Sequence, residues 1–404
     1  MQPPHIENVQ GRVTALGDEL WRDGRGWVFL VVSLGWFLSI GGRLVFPALV
    51  PHVRVALGMS LSTAGGVLTA LWLAYALTQF PGGLLGDRVG ERAILATSMA
   101  VSGCGLLVAG TASGLGAFVG GTVLFGVGSG LFSTTRMTVL SDVYPAVSGT
   151  AIGLSQAVGN VGTTLLPVLA GVVAVTAGWR GGLAMLVLPV FVTVVALWRV
   201  VPRRTHPPAS NEAQSLRAVL DGVLQPTPLL VAGMMLAMSM VYQGFTSFFP
   251  TYLVTEKALD GETASILFGL FFATGVLVQP LAGLSADTVG PKRTFAGCIL
   301  VAIFGLVALP FVDGVGALAA LTVLLGVQLG FWAVANSFAI TVMPEAVQGS
   351  GFGLVRTSYL VFAAMAPAGM GILAEVGLFD ESFVLLACVA GCALLLGGRL
   401  PGAG

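Results

Sequence analysis

The sequence predicts an all-α membrane protein of twelve transmembrane helices arranged as two pseudo-symmetric six-helix bundles, and three observations carry that prediction. Hydrophobic residues make up 56% of the chain and charged residues 9%, with a mean hydropathy of +0.94, against about 25% charged residues in a soluble domain. Apolar runs long enough to cross a hydrocarbon core of about 30 Å as a helix recur along the whole length. The third observation is a gapless repeat of 200 residues, in which Gly83-Leu-Leu-Gly-Asp87-Arg88-Val-Gly90-Glu-Arg92 returns as Gly283-Leu-Ser-Ala-Asp287-Thr-Val-Gly290-Pro-Lys292-Arg293. The same register pairs Gln79 with Gln279, Thr122 with Thr322, Gly126 with Gly326, Gly130 with Gly330, Gly149 with Gly349, Gly153 with Gly353 and Pro167 with Pro367. So long a repeat exceeds any solenoid unit and implies two homologous halves about a pseudo-two-fold axis.

Residues 1–26 form an N-terminal cytoplasmic segment in which Val9, Val13, Leu16 and Leu20 recur at helical spacing, the pattern of a short helix on the inner membrane surface or of a frayed tail. The first bundle, 27–201, has spans at 27–50, 61–82, 93–111, 115–140, 149–176 and 180–201. Leu57-Gly-Met-Ser60, Ala112-Ser-Gly114, Tyr144-Pro145 and Gly178-Trp179 supply turns between them. From Pro202 to Pro226 the apolar pattern stops, at Arg203-Arg204-Thr-His-Pro-Pro and Ser210-Asn-Glu-Ala-Gln, which marks a cytoplasmic linker at 202–226 with a short surface helix around Ser215 to Val223. The second bundle, 227–398, has spans at 227–253, 262–283, 294–312, 315–342, 350–374 and 381–398, with turns at Asp313-Gly314 and Pro344-Glu345 and a tail at 399–404.

Charge sets the orientation. With the N-terminus inside, twelve of the 18 basic residues fall on the cytoplasmic side and only Arg54, Arg180 and Lys257 outside, so both termini are expected in the cytoplasm of a multi-pass, prokaryotic cell-membrane protein. No cleavable signal peptide is expected, because the first apolar run begins at Trp27 and continues into a full span. A formal net charge of zero leaves no basic face for nucleic acid. Cys104, Cys298, Cys388 and Cys392 lie inside predicted spans and read as small packing residues, and His5, His52 and His206 lie near or outside the membrane boundary. Without a His, Cys and carboxylate cluster at membrane depth there is no basis for an enzyme, a metal site or a cofactor. The expected partners are the lipid bilayer and a small molecule, with the protein a monomer.

Twelve spans in two halves, with Gly-x-x-x-Asp-(Arg)-x-Gly-x-(Arg/Lys) in the loop after the second and eighth spans, resemble the major facilitator superfamily across the whole chain; Gly178-Trp179-Arg180 before the sixth span is familiar from the same group. The resemblance implies that the first, fourth, seventh and tenth helices line a central cavity and that the halves rock to expose it alternately to each side. It also implies a cytoplasmic latch at Gly83, Asp87, Arg88, Gly90 and Arg92, with Asp142 in the same charge cluster, and a second at Gly283, Asp287, Gly290, Lys292 and Arg293. Asp87 would then face the free amides at the start of the eleventh helix, near Gly349 to Gly353. Glu91 and Pro291 stand where a basic residue is usual, and Thr288 replaces the arginine, so the second latch is expected to be the weaker.

An ionisable group at membrane depth costs several kcal/mol and marks function. Every Asp and Glu falls in a predicted loop or at a helix end, but Arg43, Arg136 and Arg356 lie within spans, the last two about 8–10 Å inside the cytoplasmic boundary at 1.5 Å per residue. Positive charge without a fixed counter-charge suits an anion held bidentately by guanidinium. The alternative is that these arginines snorkel to the surface or bond helix ends. In related organic-anion carriers a first-helix arginine is often the substrate anchor, which singles out Arg43. The repeat pairs Arg43 with Gln243, Arg136 with Asn336 and Gln156 with Arg356, and Tyr75, Asn160, Tyr242, Trp332 and Tyr359 complete the candidate substrate site. The glycine-rich runs at Gly126 to Gly130 and Gly149 to Gly162 read as close helix contacts, since no strand precedes them.

Thr122 stands where proton-coupled members of the superfamily commonly carry arginine, and Leu166-Pro167 stands where drug-proton antiporters carry Gly-Pro. The reading is therefore a secondary active or facilitative carrier of a small organic anion working by alternating access, with exchange or uniport favoured and coupling through a helix-end carboxylate or a bound ion left open. An exporter of amphipathic drugs or metabolites is the first alternative and a non-transporting receptor on a transporter fold the second.

Overall fold

A computed structural model describes residues 19–203, 216–344 and 347–400, apart from the side chains at 23, 83, 84, 87, 88, 216 and 349. The surface helix expected around Val9, Val13 and Leu16, and linker residues 204–215, lie outside the described residues. Backbone amides in hydrocarbon must be paired within the protein, and for apolar runs of about 20 residues the form that does so is a helix. They are α1 (Gly26–Leu57), α2 (Leu61–Val89), α3 (Glu91–Gly110) and α4 (Leu115–Val143). The run Ser148–Val200 is broken only at Gly178 (φ 69°), which divides it into α5 and α6. After the short linker helix Leu216–Val223 come α7 (Pro226–Thr255), α8 (Gly261–Val289) and α9 (Pro291–Ala308). In α10 the segments Val315–Gly326 and Gly330–Thr341 flank a 3-10 turn, in α11 Gln348–Ala363 and Ala366–Glu375 meet just before Pro367, and α12 is Phe379–Gly398.

Several boundaries depart from the sequence reading. Helix α1 runs past 50 to Leu57, because Pro51 is absorbed and Gly58 (φ 63°) closes it in the left-handed region. The repeated motif is not a loop: α2 and α8 continue through Asp87 and Asp287 to Val89 and Val289. The chain reverses at Gly90 (φ 100°) and Gly290 (φ 92°), a conformation that requires glycine. At their other ends α2 and α8 open on symmetry-related caps, Ser60 accepting the Thr63 amide at 3.2 Å and Asp260 accepting the Thr263 amide at 2.8 Å. Of the cysteines only Cys298 is buried; Cys104, Cys388 and Cys392 are exposed on outer helix surfaces, so they do not pack the interior as expected.

Close approach of helices explains most of the glycine-rich runs. A Cβ on Gly126 would meet the Leu71 carbonyl oxygen at 2.6 Å, one on Gly128 the Ser98 oxygen at 2.4 Å, and one on Gly162 the Phe37 oxygen at 2.5 Å. Gly149 and Gly153 have open space instead. Buried apolar side chains form two clusters, one within α1 to α6 and one within α7 to α12 that also takes in Leu44, Ala48, Trp72 and Tyr75.

The hydrogen bonds that cross between the halves, among the described residues, run from mid-height toward the face opposite the basic loops. Asn160 donates to Gln279 at 3.2 Å, Trp72 to Ser247 at 3.3 Å and the Ala368 amide to Thr69 at 3.0 Å. At the rim, the Glu375 carboxylate accepts the Ser62 amide and the Ser60 hydroxyl, both at 2.9 Å, so a negative group sits on the free amides that open α2. Gly65 and Gly371 let α2 and α11 touch beside it. The halves are thus closed at that face.

Candidate functional site at the centre of the bundle

Seven residues before Arg43, and so on the same side of α1, lies Trp36, and this spacing organises the centre of the molecule. Arg43 is 3% exposed and its guanidinium sits 3.7 Å from the centroid of the Tyr75 ring, 5.3 Å from Trp72 and 5.8 Å from Trp36. Arg136, fully buried, covers the Trp36 ring at 4.1 Å and donates to Ser155 Oγ at 3.0 Å and Gln156 Oε1 at 3.3 Å. Arg356, on α11, lies against Tyr75 and Tyr359. The structure therefore brings all three arginines of the spans around Tyr75, whose hydroxyl is also bonded to Ser133 at 3.3 Å.

The expectation of arginines lining an open cavity needs correction. Arg43 and Arg136 are stacked on aromatic faces, each such contact contributing about 0.5–2 kcal/mol, and Arg136 does not snorkel. That compensation is partial, because the effective desolvation penalty is several kcal/mol per ion. Arg43, Arg136 and Arg356 each keep a buried Nε–H without an acceptor.

Two further chains of contact extend the site. Trp72, Tyr242, Trp332 and Tyr359 follow one another at ring separations of 6.5, 6.4 and 5.8 Å, carrying an aromatic wall from α2 across α7 and α10 to α11. A polar relay starts at Trp36 and Arg136, both donating to Gln156 Oε1; Gln156 donates to Asn160 at 3.1 Å, and Asn160 reaches Gln279 on α8. Gln156 and Asn160 thus fasten Arg136 and span the halves. Gln243 is buried with Oε1 unpartnered, and Asn336 is exposed, donating to the Trp332 carbonyl of its own helix at 2.8 Å, so neither joins the ring of contacts. Trp36, Trp72, Ser133, Ser155 and Gln279 were not singled out as site residues. Trp36 and Trp72 had a signal in their helical spacing to Arg43 and Tyr75, and Gln279 in its repeat pairing with Gln79.

At the face of the basic loops, the side chains of Asp87 and Arg88 lie outside the described residues, and with them the expected contact to Gly349 and Gly353. Arg92 stacks over Trp198 at 4.8 Å, and among the described residues it forms no ion pair with Asp142, which lines a small recess with Glu91 and Val143. In the second motif Lys292 donates to the carbonyls of Gly398 and Leu400, both at 2.8 Å, which ties α9 to the end of α12, while Asp287 and Arg293 are exposed.

The model of the Major Facilitator Superfamily matches residues 30–264 and 234–401. The hexuronate transporter of Bacillus subtilis is 23% identical over 387 residues, covering 89% of this chain and 90% of that protein. The cis,cis-muconate transport protein of Acinetobacter baylyi is 27% identical over 279 residues, 65% of this chain and 66% of its own. Among solved structures, a bacterial homologue of the human lysosomal transporter Spinster, inward-facing and occupied, superposes with a TM-score of 0.80 at 15% identity over 93% of this chain and 96% of that one. The nucleoside transporter NupG superposes with a TM-score of 0.78 at 14% identity over 93% and 100%. A twelve-span repeat, a motif returning after 200 residues and a family match over nearly the whole length place this chain in the Major Facilitator Superfamily, as a multi-pass membrane transporter of a small molecule.

Proposed function

We propose that the protein carries a small organic anion by alternating access, with the basic loops in the cytoplasm and the described state closed at the opposite face. The observation that carries this reading is the convergence of Arg43, Arg136 and Arg356 on Tyr75, with three buried Nε–H groups lacking acceptors. A carboxylate or phosphate offers the charge and the paired oxygens that guanidinium recognises. Relatives named for hexuronate, cis,cis-muconate and hexose phosphate support the same class. In this reading the segments 27–201 and 227–398 rock as two bodies, the contacts at Glu375 and Gly65 close the outer face, and Asp87, Arg88 and Arg92 close the inner face in the opposite state. The aromatic wall favours a second reading, export of amphipathic compounds, which does not require the arginines.

The test is a thermal-stabilisation screen of purified protein across organic anions, cations and neutral drugs, followed by transport of the best ligand into proteoliposomes. Arg43→Gln should weaken binding by about 2–5 kcal/mol, the usual effect of removing one partner of a buried charge pair. Arg43→Lys should rescue only part, because a point charge lacks the fork geometry. Stabilisation by neutral or cationic compounds alone, or unchanged anion transport in Arg43→Gln, returns the question to the amphipathic exporter.

A further inference from the structure

Two of the three central arginines come from different halves and meet at Tyr75. Arg136 is already committed, with donors spent on Ser155 and Gln156 and its plane on Trp36. Arg43 on α1 and Arg356 on α11 lie against Tyr75 from opposite halves, and each, like Arg136, keeps a buried Nε–H that no protein atom accepts. The described acidic side chains lie in loops or at helix ends, among them Glu91, Asp142, Glu375 and Asp380, and none reaches this cluster.

From this arrangement we infer that the substrate is a dianion with two separate acid groups, one held by Arg43 and the other by Arg356. This rests on the anion reading above and narrows it. A single carboxylate would neutralise one arginine and leave the other buried and uncompensated, which is the costly outcome for a buried ion. Two acid groups compensate both, and the aromatic faces of Trp72, Tyr242 and Trp332 cover the skeleton between them. A ligand of this kind holds both halves at once, which ties its binding to their closure. A monoanion has no such grip on the second half.

The inference is tested on the purified full-length protein with C4 to C8 dicarboxylates, saturated and unsaturated, and benzene dicarboxylates. Each diacid is paired with its half-amide, which keeps the shape and removes one charge, and apparent affinity is read from the concentration dependence of thermal stabilisation. At least one diacid is expected to bind tenfold or more tighter than its half-amide. In Arg356→Gln that preference should collapse toward unity while the half-amide still binds, and Arg356→Lys should keep part of it. Equal affinity of diacid and half-amide for the unmodified protein overturns the inference without needing a variant, as does a preference that survives Arg356→Gln. If monoanions stabilise and no diacid does, the two-group assignment fails and the anion reading stands. If only neutral or cationic compounds stabilise, both fail.

Discussion

Gly65→Ala should open the outer face. A Cβ at this position would stand 2.5 Å from the carbonyl oxygen of Pro367 and 3.2 Å from the Cα atoms of Ala368 and Gly371, all backbone atoms of α11 in the other half. Since no flexible side chain can move away, α2 and α11 must separate, and overpacking of this kind costs about 1–3 kcal/mol. The penalty exists only while the outer face is closed, so at about 1.4 kcal/mol per tenfold it shifts the balance between states by about 5- to 150-fold. Gly66→Ala is the matched control, because nothing lies within 4 Å of its Cβ. Spin labels at Leu115 and Val315, exposed and related by the 200-residue repeat at the outer ends of α4 and α10, would report the separation of the halves. Gly65→Ala should lengthen that distance distribution and Gly66→Ala should not. Identical distributions in the two variants would refute the assignment of Gly65 to an outer gate.

Other expectations follow from the same geometry. Glu375→Gln keeps the shape but removes the charge resting on the first turn of α2, and should raise the accessibility of a cysteine placed at Thr69 to an impermeant thiol reagent; unchanged labelling would mean that the Ser60 and Ser62 bonds carry no closure energy. Asp87→Asn should shift the protein toward the inward-open state while leaving it folded, and Asp287→Asn should do so less, as label distances across the inner ends of the helices would record. The Thr263 amide and hydroxyl hold the Asp260 carboxyl below its ordinary value. A depressed folded pKa adds stability above the unfolded pKa that is lost as pH falls through the folded one, so Asp260→Ala should cost about 1 kcal/mol near neutrality. The mutant and the parent should then converge in thermal stability at acid pH.

Much of the architecture was legible in the chain. Hydropathy and the 200-residue register dictate twelve helices in two related halves, because apolar runs of this length satisfy their backbone in lipid as helices, a barrel strand needing only about 9–11 residues, and because a repeated sequence repeats its fold. The arginines were legible too, since a charge at membrane depth stands out against its neighbours. Their setting was not. That Arg43 lies on Tyr75, that Arg136 is bound by Ser155 and Gln156, and that Asn160 reaches Gln279 depend on which faces of α1, α2, α4, α5, α8 and α11 meet. Helix rotation is set by glycine-mediated close packing between segments far apart in sequence, which spacing within one helix does not specify. The same holds for the closed outer face: Glu375 on the amides of α2, and Gly65 against α11, become partners only when the two halves are brought together in one of the states that the sequence encodes.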